Sequence, residues 1–499
     1  MISVHPAGDD AFLIDFAADD PGLMRGVSAK LSQDERVRAC IAGHTSLFVL
    51  ARQDRWSRDW LDRIVASIDD RVAIGSFGRH LVPVNFASHH APELPLLAAK
   101  VGLGRSEVIE QIVLMQFRAR YLGFLAGFAY LDGFPTDWAL PRLDEARVRV
   151  PPGSFAVAGG MAGFYPIASP GGWNLLGRTT LSLWREDRDP PNLIFPGDEI
   201  RLVPTNDEPD NAREPAAGEM TPPGDPIAKV SEPGQRTRIV SARDDGRYGF
   251  GLPASGPFDE EGFRAVNGAV GNRVDRAVLE CVLVGPVLRF SSSMILSWHG
   301  AEVAARINGR EVTEVRQFKV QAGDELEIGP LRNGLRGMLA FRGGLGSPVS
   351  RNALCPPQIA KGDELRAGQS IGQAARIGSV SRTDRLVIRA WAGPHALHTE
   401  GLAAIEKSEW TVTPALDRVG VRLSSAGVSF RPPANLMSCG MQFGTVQWHP
   451  GGELVLMGPD HPVTGGYLQP LTVLSSDRWK IGQLMPGEKV RFVVGRPPQ

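Results

Sequence analysis

The sequence predicts a small lobe of mixed strands and helices followed by a mainly β body of barrel-like units, an α+β chain in all. Three observations lead there. Glycine (57) and proline (39) make up about a fifth of the 499 residues, which suits short strands joined by many turns. Helix-spaced apolar residues lie mainly before Gly123, and short strands punctuated by Gly and Pro follow it. A glycine-led turn feeding a strand recurs four times, at Gly197-Asp198-Glu199, Gly323-Asp324-Glu325, Gly362-Asp363-Glu364 and Gly487-Glu488-Lys489. That recurrence suggests related β-barrel units in one chain.

In chain order, Ala11–Phe16 and Thr45–Ala51 read as short apolar strands. Asp20–Leu31 and Asp54–Ile68 read as helices, because their apolar residues fall at three- and four-residue spacing. These elements make an N-terminal lobe over residues 1–83. Pro92–Met115 reads as a helical pair broken near Gly102–Gly104, inside a first barrel over 84–205. The stretch Pro204–Pro226 is rich in Pro, Glu and Asp and nearly devoid of apolar residues; it reads as a linker, placed at 206–228. Residues 229–499 read as strand and turn, with one helix at Asp259–Val270.

Composition excludes several classes. Basic and acidic residues nearly cancel, 54 against 55, and no block of like charge occurs, so neither nucleic acid nor a membrane surface is an expected partner. No apolar run is long enough to span a bilayer, and the N-terminus lacks a basic segment followed by an apolar core. Cys40, Cys281, Cys355 and Cys439 are far apart with no C-x-x-C, against a disulfide framework and for a cytoplasmic location. The P-loop, Rossmann, G-x-S-x-G and H-E-x-x-H signatures are absent. His89-His90 reads as an exposed loop pair, His395 and His398 lack a third ligand, and no metal site is expected.

What remains is a set of Gly-rich stretches. Gly123–Leu131, Pro141-Arg142, Arg147–Ser154, Ala158–Pro166 and Ser169–Thr179 combine dense glycine with Arg142, Arg147 and Arg178 and an aromatic wall of Tyr165 and Trp173. Glycines bare the backbone N–H groups and arginines supply planar forks, a combination that binds carboxylate or phosphate. The same residues also suit a Gly-rich barrel whose turns need Gly and whose aromatics are core.

In this order the segments resemble the first subunit of the family named for allophanate hydrolase and 5-oxoprolinase, which also supplies the carboxyltransferase part of urea amidolyase. Its pattern reads G-F-x-P-G-F-x-Y-L, P-R, V-P-x-G-S, G-G-x-x-G-x-Y-P and S-P-G-G-W-x-x-x-G-R-T. From Gly246-Arg247 and Gly251–Asp259, through Asp417–Leu423, to Asp460 and Thr464–Tyr467, the rest resembles the second subunit. The chain therefore looks like a natural fusion of 5-oxoprolinase subunits B and C. It departs from the family pattern at Ile112, Ala126, Ala146, Met161-Ala162, Arg243 and Asn435.

The resemblance implies an α/β lobe followed by cyclophilin-like β-barrel units. It implies a component of an ATP-dependent 5-oxoprolinase, opening the lactam of 5-oxoproline to glutamate with ATP, Mg and a separate third subunit; a homo-oligomer is a further expected assembly. The alternatives are carboxyl transfer to a urea-like amide from carboxybiotin on another chain, and a non-catalytic regulator of the kinase-inhibitor type. Carried onto this sequence, Asp460, Gln447, Tyr467 and Arg418 are the candidate catalytic residues. Arg178, Tyr165, Ser154, Arg147, Asp417 and Arg422 are the candidates for holding substrate or phosphate.

Overall fold

A computed structural model describes residues 2–16, 21–52, 59–60, 62–63, 77–209, 224–346, 355–368, 384–395, 399–428, 430–433 and 436–495. The lobe is a sheet of β1 (Ile2–Pro6), β2 (Ala11–Phe16), β3 (Val37–Ala42) and β4 (Ser46–Ala51) in the order β1-β2-β4-β3. The helix Pro21–Leu31 lays Met24, Val27 and Leu31 on Phe12, Ile14, Leu47 and Val49. Of the helix expected over Asp54–Ile68, only Asp59, Trp60, Asp62 and Arg63 fall within the described residues.

The first barrel is built from β5 (Arg79–Asn85), β6 (Phe117–Leu122), β7 (Ala129–Asp132), β8 (Arg147–Val150), β9 (Ser154–Ala158), β10 (Met161–Phe164), β11 (Ser169–Gly171), β12 (Asn174–Thr179) and β13 (Glu199–Pro204). Seven strands close it, while β8 and β11 form a separate pair on its outside. The helices Leu94–Val101 and Arg105–Leu114 break where Gly102 takes φ 71°, as the Gly102–Gly104 spacing predicts. Leu94, Leu97, Val108 and Ile112 pack with Val82, Val84, Phe155 and Ile200 in the barrel core.

Residues 210–223 lie outside the described residues, and β14 opens at Pro226, inside the stretch read as linker. An open nine-stranded sheet follows: β14 (Pro226–Glu232), β15 (Arg236–Val240), β16 (Val278–Val282), β17 (Val287–Phe290), β18 (Met294–Ile307), β19 (Arg310–Glu311), β20 (Phe318–Val320), β21 (Glu325–Phe341) and β22 (Glu364–Arg366). The helix Glu260–Ala269 packs on it, started by Asp259, whose carboxylate accepts the Gly262 N–H at 2.8 Å.

The second closed barrel uses β23 (Val387–Ala392), β24 (Trp410–Leu416), β25 (Gly420–Ser424), β26 (Cys439–Gly440), β27 (Thr445–Trp448), β28 (Leu454–Met457), β29 (Thr464–Gly465), β30 (Leu468–Val473) and β31 (Lys489–Gly495). With the seven wall strands of each barrel ranked in chain order, both barrels close in the cyclic order 5-3-2-7-1-6-4. Each closes through one parallel pair, β5 with β13 and β23 with β31, and each carries the same satellite pair, β8·β11 or β26·β29.

The four recurring turns share one construction. Gly197, Gly323, Gly362 and Gly487 take φ of 100°, 91°, 94° and 86°, a region costly for residues with a Cβ. The next residue, Asp198, Asp324, Asp363 or Glu488, accepts the backbone N–H three residues before it at 2.7–2.9 Å. Each turn then delivers a strand: β13, β21, β22 or β31. Among the described residues no helix is long and apolar enough to cross a membrane.

Candidate functional site

On the outer face of the first barrel, small residues leave room for rings. Ala156 and Gly163 are paired across β9 and β10, and Tyr130 is paired with Gly163 from β7. Phe128 meets Tyr165 edge-on at 5.4 Å and Trp173 at 5.5 Å, and Tyr121 stacks on Tyr130 at 4.4 Å. Burial raises the phenol pKa values of Tyr165 and Tyr130 and pushes Tyr121 up to about 12. Arg142 is exposed and close enough for its charge to act on all three tyrosines. Among the described residues no carboxylate pairs with it.

The other arginines named from the sequence are engaged. Arg147 is paired with Glu93, whose second oxygen accepts the Leu175 N–H at 2.8 Å. Arg178 is buried and donates to the Pro152 carbonyl at 2.7 Å; burial lowers its pKa against the pull of Glu208. Ser154 donates its hydroxyl to the Pro151 carbonyl at 2.8 Å, closing the turn into β9.

In the second half, Arg418 is the hub of a buried charge cluster. It donates to Asp460 at 2.6 and 3.2 Å, to Glu280 at 2.6 Å and to the Gly256 carbonyl at 2.6 Å. Burial works against its charge, but Asp460 and Glu280 outweigh it and raise its pKa. Arg336 lies on the Phe258 ring at 4.1 Å; burial, opposed by Glu280 and aided by Arg418, pulls it down to about 10. Ser255 donates to Asp460 at 2.6 Å from a backbone with φ 55°, a strained conformation for a residue with a Cβ. Beside Asp460, His461 is fully buried and pushed down to about 4, chiefly by desolvation. Its Nδ1 donates to the Pro462 carbonyl at 2.8 Å, and Nε2 faces the Tyr248 hydroxyl at 3.4 Å.

Four further candidates stand apart from this cluster. Asp417 accepts the N–H groups of Val419 and Gly420 at 2.8 and 3.1 Å, a turn cap rather than a partner of Arg418. Arg422 is exposed and paired with Glu453 at 2.9 Å. Tyr467 stacks on His449 at 4.2 Å. Gln447 is 3% exposed, and its amide nitrogen has no hydrogen-bond partner.

The two halves meet where the loop after β6 touches β29. A Cβ on Gly123 would overlap the Thr464 side chain, so only glycine permits this approach. Tyr121 is hydrogen-bonded to Ser438, the His44 N–H donates to the Ser438 carbonyl at 2.7 Å, and Asn192 donates to the Phe250 carbonyl at 3.3 Å. Thr464 Oγ1 is buried there without a partner. Phe124, with φ 65°, and Ser255 are strained residues from opposite halves. The two halves offer an aromatic wall, Arg142, which no carboxylate pairs among the described residues, and the buried Gln447 and Thr464 side-chain atoms without hydrogen-bond partners.

The candidates read from the sequence omitted Ser255, Glu280, Arg336, His461 and Glu208. Ser255 lies inside the recognisable segment Gly251–Asp259, but the partners of Ser255 and Glu280 are 205 and 138 residues away, and no local spacing marks such contacts. Among the departures from the family pattern, Ile112 is a fully buried core residue and Ala126 packs with Trp184 and Leu252. Arg243 lies on Phe443 at 4.4 Å and pairs with Glu260; Asn435 lies outside the described residues.

Family descriptions match this architecture half by half. The family description "Carboxyltransferase domain, subdomain C and D" matches residues 2–194, and "Carboxyltransferase domain, subdomain A and B" matches residues 250–494. Both 5-oxoprolinase subunits B and C are among the relatives. To the former, from Escherichia coli O157:H7, the chain is 34% identical over 180 residues, covering 83% of that protein and 36% of this chain. To the latter, from Haemophilus influenzae, it is 27% identical over 269 residues, covering 87% of that protein and 51% of this chain. Urea amidolyase of Saccharomyces cerevisiae is 27% identical over 316 residues, or 56% of this chain, but only 17% of that much longer protein is spanned. The solved structure of TTHA0988 superimposes with a TM-score of 0.85 at 27% identity, over 99% of this chain and 100% of that one. The chain therefore belongs to the carboxyltransferase-domain family and unites in one polypeptide the counterparts of 5-oxoprolinase subunits B and C.

Proposed function

We propose that the chain is the B-plus-C component of an ATP-dependent 5-oxoprolinase, an amidohydrolase that opens 5-oxoproline to glutamate with a separate third subunit. The observation that supports this reading most is the pairing of relatives. One half matches most of the Escherichia coli relative's length and the other most of the Haemophilus influenzae relative's.

The residues at the junction fit anionic ligands. Arg142 has no carboxylate partner among the described residues, and Gln447 Nε2 and Thr464 Oγ1 are buried without hydrogen-bond partners. In this reading Arg142 holds the substrate carboxylate or a phosphate, and Gln447 and Thr464 bond the ligand's polar atoms. ATP, bound with Mg, supplies the phosphoryl group that activates the stable lactam oxygen. Ser255 and Asp460 fix a hydroxyl and a carboxylate near the reacting amide, while Arg418 positions Asp460. Arg147, Arg178 and Ser154 hold the walls through Glu93 and the Pro151-Pro152 turn, and Tyr165 closes the aromatic side. Asp417, Arg422 and Tyr467 support turn and surface.

The test is release of phosphate and glutamate from ATP and 5-oxoproline by the purified chain with its third subunit. Release only when every component is present supports the reading; no release from folded components overturns it. The match to urea amidolyase favours a second reading, carboxyl transfer to a urea-like amide from carboxybiotin on another chain. Consumption of carboxybiotin dependent on such an amide, without glutamate release, would select it.

A further inference from the structure

The first barrel carries a cluster that the proposed reaction does not use. After β5, the turn Ala87–Ala91 is closed by the His90 and Ala91 N–H groups on the Ala87 carbonyl at 2.8 and 3.0 Å. It sets two successive imidazoles side by side, with ring centroids 4.0 Å apart. The chain leaving β13 then brings Glu208 to them. His90 Nε2 lies 3.0 Å and His89 Nε2 3.5 Å from the same oxygen, Glu208 Oε2.

We propose that His89, His90 and Glu208 form a three-ligand site for a divalent transition-metal ion of the zinc type. The donor atoms all lie within 4.8 Å of one another. A tetrahedral ion with bonds of about 2.0–2.1 Å places its donors about 3.3 Å apart, so the 3.0 and 3.5 Å separations already match edges of that polyhedron. Two imidazoles and a carboxylate suit zinc, whereas magnesium and calcium prefer oxygen alone.

The supporting atoms are those a ligand set needs. Asn85 is buried and donates to the other carboxylate oxygen, Glu208 Oε1, at 3.3 Å and to the Asp207 carbonyl at 3.1 Å. Its own carbonyl accepts the Ala87 N–H at 2.8 Å, so one side chain orients both the histidine turn and the acid. Desolvation lowers the pKa of His90, against the pull of Glu208, which favours the neutral imidazole that binds metals. Three protein ligands leave one position for water or an anion. Arg178 lies close enough for its charge to act on His90 and to feel Glu208, which favours the anion. Ligation would also tie the segment leaving the first barrel to that barrel's rim.

The experiment uses the full chain after treatment with a chelator. Zinc is titrated in, excess is removed by gel filtration, and retained metal is counted; cobalt(II) then reports the ligands by absorption. The expected result is about one zinc per chain and a cobalt spectrum of tetrahedral type without a sulfur charge-transfer band. Glu208→Gln and His89→Gln, both at exposed side chains, should each weaken zinc binding at least about tenfold. Equal retention by wild type and both variants, no retention by wild type, or a sulfur charge-transfer band would each overturn the proposal.

Discussion

On the outer face of the first barrel, one cross-strand row reads Ala156, Gly163 and Tyr130. The same positions in the second barrel hold Gln447, Val455 and Arg422. The strand order is shared, and so is the turn that feeds the last strand, yet the chemistry of the two rows differs. The first row is small where rings must sit: a Cβ on Gly163 would lie 2.9 Å from Phe128. The second row fills its own space and leaves a buried amide nitrogen unsatisfied on Gln447. The two barrels thus share strand order and turn, while their outer rows differ in size and polarity.

The largest effect expected from breaking this contrast lies in the second half. Arg418→Met removes the partner of both Glu280 and Asp460, leaving buried carboxylates unpaired, and should cost about 3–5 kcal/mol in denaturant unfolding. The acid response of the same region is next. His461 has a folded-state pKa of about 4, below the ordinary histidine value of about 6.5, so the unfolded chain binds its proton first. Stability from this group is complete above pH ~6.5 and is lost as pH falls toward 4, by up to about 3 kcal/mol. Denaturation midpoints at the two ends of that window should differ less in His461→Gln than in the wild type.

Exchanging the rows gives a smaller effect. Gly163→Val, which installs the second barrel's residue in the first, should cost about 1–3 kcal/mol by overpacking Phe128. Near-UV circular dichroism should report the disturbed ring cluster. The smallest change is expected from Arg422→Ala, because its pair with Glu453 is exposed; thermal unfolding should register no more than about 0.5 kcal/mol.

Much of the fold was legible. Ala11–Phe16, the broken helical pair, the Asp259-capped helix and all four glycine-acid turns follow from local pattern and are seen as such. The first and second halves were recognisable from their motifs. The candidate site was legible in part: Asp460 and Arg418 do come together, but Ser255, which bonds Asp460, and Glu280, which bonds Arg418, arrive from distant segments. Glu208 sits in a stretch whose composition reads as linker, and only the folded chain brings it to His89 and His90. Asp417 and Arg422 carry the same residue types as binding groups but serve a turn and a surface pair. Residue type and motif cannot separate those roles; the partner atom does.

In the proposed function, turnover needs groups from both halves of the chain. That requirement is tested most directly by 5-oxoproline-dependent phosphate release, with the third subunit present, in Arg142→Ala from the first half and Ser255→Ala from the second. Each should lower turnover at least about tenfold with folding unchanged, because Arg142→Ala removes the proposed anion-binding charge and Ser255→Ala the hydroxyl held on Asp460. Full turnover in both folded variants would contradict it.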